Sequence, residues 1–124
     1  MSKVLIVDDS ISVRHSVARL VESRAWKQQQ AIDGVDALAK LEFFAPDVIV
    51  LDIEMPRMNG YEFKSNLNNN PQFKNIPVIM LTSRASEKHQ QKAKELGIQH
   101  YMTKPYQEDA FIRLLENIRG GYVN

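Results

Sequence analysis

The feature that most constrains this chain is an alternation between two periods of apolar residues. Val4-Leu5-Ile6-Val7, Val48-Ile49-Val50-Leu51 and Val78-Ile79-Met80-Leu81 are short, uninterrupted apolar runs, the pattern of strands covered on both faces of a parallel sheet. Between them the spacing becomes helical. Val13, Val17, Leu20 and Val21 form a stripe behind Ser10, a candidate N-cap, and Val35, Leu38 and Leu41 form another behind Asp33-Gly34. Asn59-Gly60-Tyr61-Glu62 has capping-box spacing, and Phe63 and Leu67 continue that helix. A fourth helix over about Ser86–Leu96 stops at Gly97, placed for a left-handed cap, and Phe111, Leu114, Leu115 and Ile118 give the last stripe. Ile98–Met102 reads as a weaker strand. Lys27–Ile32 reads as a polar edge strand, because Gln28-Gln29-Gln30 offers little apolar surface.

The result is strand followed by helix, five times over. Crossovers of this length carry helices and are right-handed, so the expected fold is α/β, a parallel sheet with helices on both faces. Asn66–Asn75, with Pro71, reads as a polar loop inside the domain, and residues 1–124 read as one domain. At 124 residues the chain has about one domain's length, leaving no room for a separate output module. Sixteen basic against fifteen acidic residues give a net charge of +1, which is not the balance of a dedicated nucleic-acid binder. Without cysteine there is no disulfide scaffold, thiol nucleophile or Cys-based zinc site. No apolar run approaches the roughly 18 residues of a membrane span, and acidic residues follow the first run too soon for a signal peptide. The expected setting is cytoplasmic, with neither membrane insertion nor nucleic acid as partner.

In an open α/β sheet, ligands collect beyond the carboxyl ends of the strands. There the chain places Asp8-Asp9 after the first run, Asp52 after the second, Thr82-Ser83 after the third and Lys104-Pro105 after the weak strand. Any one of these alone is an ordinary turn or cap residue. Together, three crowded carboxylates repel one another and call for a cation or a raised pKa. Oxygen ligands favour Mg²⁺ or Ca²⁺ over zinc, and so few protein ligands, leaving room for water and phosphate oxygens, favour Mg²⁺. A carboxylate ionised at neutral pH can attack phosphorus to give an acyl phosphate, with Lys104 and the metal offsetting charge on the phosphoryl oxygens.

The motifs Val4-Leu5-Ile6-Val7-Asp8-Asp9-Ser10, Asp52-Ile53-Glu54-Met55-Pro56-Arg57-Met58-Asn59-Gly60, Pro77-Val78-Ile79-Met80-Leu81-Thr82-Ser83 and Lys104-Pro105 resemble the receiver domain of bacterial two-component response regulators. The resemblance covers about Lys3 to Arg119. It implies a flavodoxin-like (βα)5 three-layer sandwich with strand order 2-1-3-4-5, and Asp52 as phosphoacceptor for a histidine kinase. It implies Mg²⁺ bound by Asp9, Asp52 and the Glu54 backbone carbonyl, with Asp8 helping through water. Lys104 matches the lysine that contacts the phosphoryl group, Thr82 and Tyr101 match the switch residues, and the bond to Pro105 is expected to be cis. Such a domain is not an enzyme beyond its own phosphorylation and dephosphorylation. Its downstream protein partner docks on the face of the fourth helix, fifth strand and fifth helix.

Glu54 and Arg84 would flank the phosphoryl group, pair across the site mouth and modulate phosphoryl lifetime. The plain alternative is an exposed ion pair of little energy. His15, His89 and His100 lack ligand spacing and read as surface or partly packed residues, and Trp26 as packing. Lys88, Lys92 and Lys94 read as a solvated face that could also meet a partner. Two other functions fit the fold. A small hydrolase using Asp52 as nucleophile wants a second acid two residues on, which Glu54 only loosely imitates. A flavin or nucleotide binder wants a Gly- or Ser/Thr-rich loop where Asp8-Asp9 stands. Thr82-Ser83-Arg84, Glu87-Lys88-His89 and Lys104-Pro105-Tyr106-Gln107-Glu108 further resemble receivers at the C-terminus of chemotaxis-type hybrid histidine kinases, including those controlling type IV pili and twitching. The rival is a free-standing regulator like that of the chemotaxis motor.

Overall fold

A computed structural model describes residues 2–119; Met1 and Gly120-Gly121-Tyr122-Val123-Asn124, counted above in the single domain, lie outside the described residues. The elements are β1 (Lys3–Val7), α1 (Ile11–Glu22), β2 (Lys27–Ala31), α2 (Gly34–Lys40), β3 (Val48–Leu51), α3 (Gly60–Asn68), β4 (Val78–Thr82), α4 (Glu87–Glu95), β5 (His100–Thr103) and α5 (Glu108–Arg119). All strand pairs are parallel, in the order β2-β1-β3-β4-β5, the topology of the flavodoxin-like sandwich.

The uninterrupted apolar runs are explained by two cores. Leu5, Val7, Ile49, Leu51, Val78 and Met80 face α2, α3 and α4, packing with Ala37, Phe63, Leu67 and Ala93. Their neighbours Val4, Ile6, Val48, Val50, Ile79 and Leu81 face α1 and α5, packing with Val17, Val21, Phe111 and Leu115. Alternate side chains of a strand point to opposite faces, so every position of a doubly covered strand must be apolar. Each such side chain contributes about 1.5–3 kcal/mol when fully buried. Trp26 is buried in the second core.

Capping follows the sequence closely. Ser10, Asn59 and Ser86 cap α1, α3 and α4, and Asn59 with Glu62 forms the reciprocal capping box. Gly97 follows α4 with φ +86°, where a Cβ would be strained.

Four expectations shift. In α2 the stripe holds at Leu38 and Leu41 but not at Val35, which is 39% exposed, while Gly34 and Ala37 are buried. Small residues face inward because the chain after β3 packs against this helix; a Cβ on Gly34 would lie 2.6 Å from the Met58 side chain. Asn66–Asn68 belong to the last turn of α3 rather than to the loop. The fifth strand starts at His100, with Ile98 buried in the preceding turn. The edge strand stops at Ala31, one residue earlier than its polar run suggested. Among the described residues no helix is long and apolar enough to cross a membrane.

Candidate functional site

Strand pairing brings the polar residues together. Val7 pairs with Leu51 across β1 and β3, and the Asp52 N–H donates to the Val7 carbonyl at 3.0 Å, so Asp8 and Asp52 leave adjacent strand ends side by side. Asp9 is exposed, Asp8 and Asp52 are buried, and each of the three offers a carboxylate oxygen within 4.8 Å of the others. On the far side, Thr82 pairs with Thr103, and the Lys104 N–H donates to the Thr82 carbonyl at 2.8 Å. From there the Lys104 Nζ reaches Asp8 Oδ2 at 2.8 Å and Asp52 Oδ2 at 3.1 Å. The Lys104–Pro105 peptide bond is cis.

The electrostatics of this cluster do not balance. Burial pushes the Asp8 pKa up, aided by the charge of Asp52 and opposed by Lys104 and the Ser10 N–H. Burial also pulls on Lys104, but its hydrogen bonds and charge contacts with Asp8 and Asp52 outweigh it and raise its pKa, keeping the ammonium charged. One ammonium faces three carboxylates. Hard oxygen donors at this spacing fit a divalent cation such as Mg²⁺ or Ca²⁺; no other acidic or histidine cluster of this kind occurs among the described residues.

Thr82 is buried at the end of β4, where its Oγ1 accepts from the Arg84 N–H at 3.2 Å. Half-buried Tyr101 donates its hydroxyl to the Arg84 carbonyl. Burial, then the charge of Asp52, raises its pKa. The Arg84 guanidinium pairs with the Glu54 carboxylate, both exposed. Three residues singled out from sequence therefore meet on Arg84. Gly60 lies against Asp52: a Cβ there would sit 2.2 Å from the Asp52 carbonyl oxygen, so only glycine lets α3 start this close.

Other contributors were not visible in the sequence. Arg14, on the first turns of α1, donates to the Asp8 carbonyl at 2.8 Å and to Gln30 Oε1 at 3.3 Å, bracing the end of β1. Asp33 and Arg57 join α2 to the loop after β3. The Tyr61 hydroxyl bonds His89 Nδ1 at 2.7 Å, with the two rings stacked and Lys92 Nζ 5.2 Å from the Tyr61 centroid. His15 is exposed on α1 and His100 half-buried on β5, so the three histidines share no site.

A family model described as the response regulator receiver domain matches residues 4–116. Protein PilG of Pseudomonas aeruginosa is 37% identical over 110 residues, which is 89% of this chain and 82% of that protein. Sensor histidine kinase CheAY of Helicobacter pylori is 36% identical over 105 residues, 83% of this chain but 13% of the kinase. Among solved structures, the chemotaxis protein CheY4 of Vibrio cholerae superposes with a TM-score of 0.89 at 36% identity, covering 95% of this chain and 98% of that one.

Proposed function

The chain belongs to the response regulator receiver domain family of two-component signalling, and from that membership we propose that it takes a phosphoryl group from a histidine kinase onto Asp52. The observation that carries the reading is Lys104 bridging Asp8 and Asp52 beside Asp9. Mg²⁺ would be held by Asp9, Asp52 and the Glu54 carbonyl, with Asp8 acting through water. When bound, it supplies positive charge for the phosphoryl oxygens.

An Asp52 carboxylate oxygen forms the new bond to phosphorus as the bond to the donor imidazole nitrogen breaks. The electron pair stays on that nitrogen, which takes up a proton. Lys104, already within hydrogen-bond reach of Asp52, neutralises charge on the transferred group. The phosphoryl oxygens are strong acceptors, and the Thr82 hydroxyl turns to donate to one of them. That turn gives up its hydrogen bond from Arg84. Because Tyr101 is held by the same residue, the β4–α4 loop and β5 respond together. The charge change thus reaches the α4–β5–α5 face, where Glu87, Lys88, Gln91, Lys94, Ile98 and Tyr101 line a groove of about 640 Å³. A protein partner reads this face.

The chain is not an enzyme beyond its own phosphorylation and dephosphorylation, and it works in the cytoplasm. Its likeness to PilG and to a chemotaxis protein supports a role in chemotaxis or type IV pilus signalling. A phosphatase reading is disfavoured because Glu54, exposed and paired with Arg84, only loosely imitates the second acid such a reaction wants. The test is incubation with Mg²⁺ and a small acyl phosphate donor, followed by mass analysis for an acid-stable, base-labile phosphoryl group. Loss of the modification in Asp52→Asn is the expected result; an unchanged modification in that variant overturns the reading.

A further inference from the structure

Asp33 precedes α2 with its carboxylate fully buried. Capping accounts for only part of its bonding: Oδ1 accepts the Asp36 N–H at 2.9 Å, a task that Asn or Ser performs equally well. The same carboxylate also accepts from Arg57, Nε to Oδ2 at 2.7 Å and Nη2 to Oδ1 at 3.1 Å. This is the planar fork that arginine makes and lysine does not. Burial works against the charge on Asp33, but the Arg57 bonds prevail and hold its pKa below the ordinary value.

Arg57 lies in the loop between Asp52 and Gly60, with φ +61°. A residue with a side chain keeps that left-handed backbone only where its surroundings over-determine it. The loop has two further anchors. The Gly60 N–H donates to the Ile53 carbonyl at 2.8 Å, and the Gly34 N–H donates to the Met58 carbonyl at 3.0 Å. The first bond closes the loop on itself just after Asp52 and the second ties Met58 to the start of α2, with the Asp33–Arg57 fork holding the strained residue between them.

We propose that Asp33 and Arg57 are a positioning pair for the acceptor site, locking the loop after Asp52 so that its main chain, the Glu54 carbonyl included, is preset for a divalent cation. This rests on the phosphoacceptor reading above. Neither residue touches the cation; released from the fork, Arg57 relaxes toward negative φ and the peptides before it turn with it.

The test measures Mn²⁺ dissociation constants, by electron paramagnetic resonance of the free ion, in the parent, Asp33→Asn, Arg57→Ala, Arg57→Lys and the double variant Asp33→Asn/Arg57→Ala. Asp33→Asn keeps the cap and removes the ionic fork. Its Mn²⁺ constant is expected to rise roughly three- to tenfold, at or below the low end of the effect of groups that orient metal ligands. Arg57→Ala should match it, and the double variant should be no weaker than the worse single one, because the two act as a unit. The Mg²⁺ concentration for half-maximal Asp52 phosphorylation should rise in step while the rate at saturating Mg²⁺ is retained. Constants within about twofold of the parent in Asp33→Asn and Arg57→Ala would overturn the proposal, as would a fall in thermal stability with no change in metal affinity. Should Asp33→Asn fail to fold, the two Arg57 variants decide, since that side chain is 57% exposed. Failure of the underlying reading is separately visible, as a parent that binds no Mn²⁺ or an Asp52→Asn that is still modified.

Discussion

Arg84 has three kinds of partner: its N–H meets Thr82, its carbonyl meets Tyr101 and its guanidinium meets Glu54. Only the last is exposed to solvent at both ends, and exposed pairs are worth about 0–1 kcal/mol, so its consequence is kinetic rather than structural. Neutralising Glu54 or Arg84 to alanine is expected to alter the decay rate of phosphorylated Asp52 by a few-fold, with phosphorylation retained and the melting temperature nearly unchanged. Decay followed by mass analysis after removal of the donor checks this, and equal rates in Glu54→Ala, Arg84→Ala and the parent would reject it. Asp8, Asp9, Asp52, Thr82 and Lys104 could be read from sequence because each follows a strand-forming run, and topology gathers strand ends. Arg14 and Arg57 follow no such rule, and Asp33, although it follows the edge-strand run, reads there only as the start of a helix. Asp33 and Arg57 are separated by 24 positions, and their meeting depends on a positive φ that only the folded loop reveals.

The same distinction holds for whole elements. β1, β3 and β4 announce themselves because both faces are buried. β2 pairs on one side only, and its glutamines are half-buried, so its place depends on the register with β1 more than on its own residues. α2 misleads because Gly34 and Ala37, rather than Val35, make the close approach. α4 is the most lightly anchored helix, with Ala93 its one buried residue. It is fastened instead by polar contacts with α3. Tyr61 bonds His89, and the Asn68 amide donates to the Leu96 carbonyl at 3.0 Å. Burial is the main cause that pushes the Tyr61 hydroxyl up to about 12, so it keeps its proton at any working pH. Tyr61→Phe is expected to cost about 1 kcal/mol, the net value of one hydrogen bond. Amide exchange should quicken over Glu87–Lys92 while β1 and β3 keep their protection. Uniform protection along α4 in the variant would show that the clasp does not hold the helix.

For the molecule as a whole, a net charge of +1 provides little long-range attraction for an anion, and the site pocket by itself repels one until a cation offsets its carboxylates. That pocket is a local excess of negative charge in a near-neutral protein, and the fold pays for it in stability. Burial raises the Asp8 pKa, which means the ionised form present at neutral pH is disfavoured in the folded state relative to the unfolded chain. A cation that binds only the folded state returns this free energy by mass action, about 2.7 kcal/mol at a hundred times its dissociation constant. In a domain of this size that corresponds to a rise of about 10 °C in melting temperature. Asp8→Asn removes the buried charge; its single amide oxygen can keep the bond from the Ser10 N–H, while the amide nitrogen takes the place of the oxygen that met Lys104, which retains Asp52 as its partner. The variant should therefore melt above the parent in chelator and gain less from Mg²⁺, so that the two curves converge or cross as Mg²⁺ is added. Calorimetry in EDTA and in a Mg²⁺ series reads both quantities. A lower melting temperature for Asp8→Asn in chelator would mean that the Lys104 contact outweighs burial, and an equal gain in both proteins would place the cation away from Asp8.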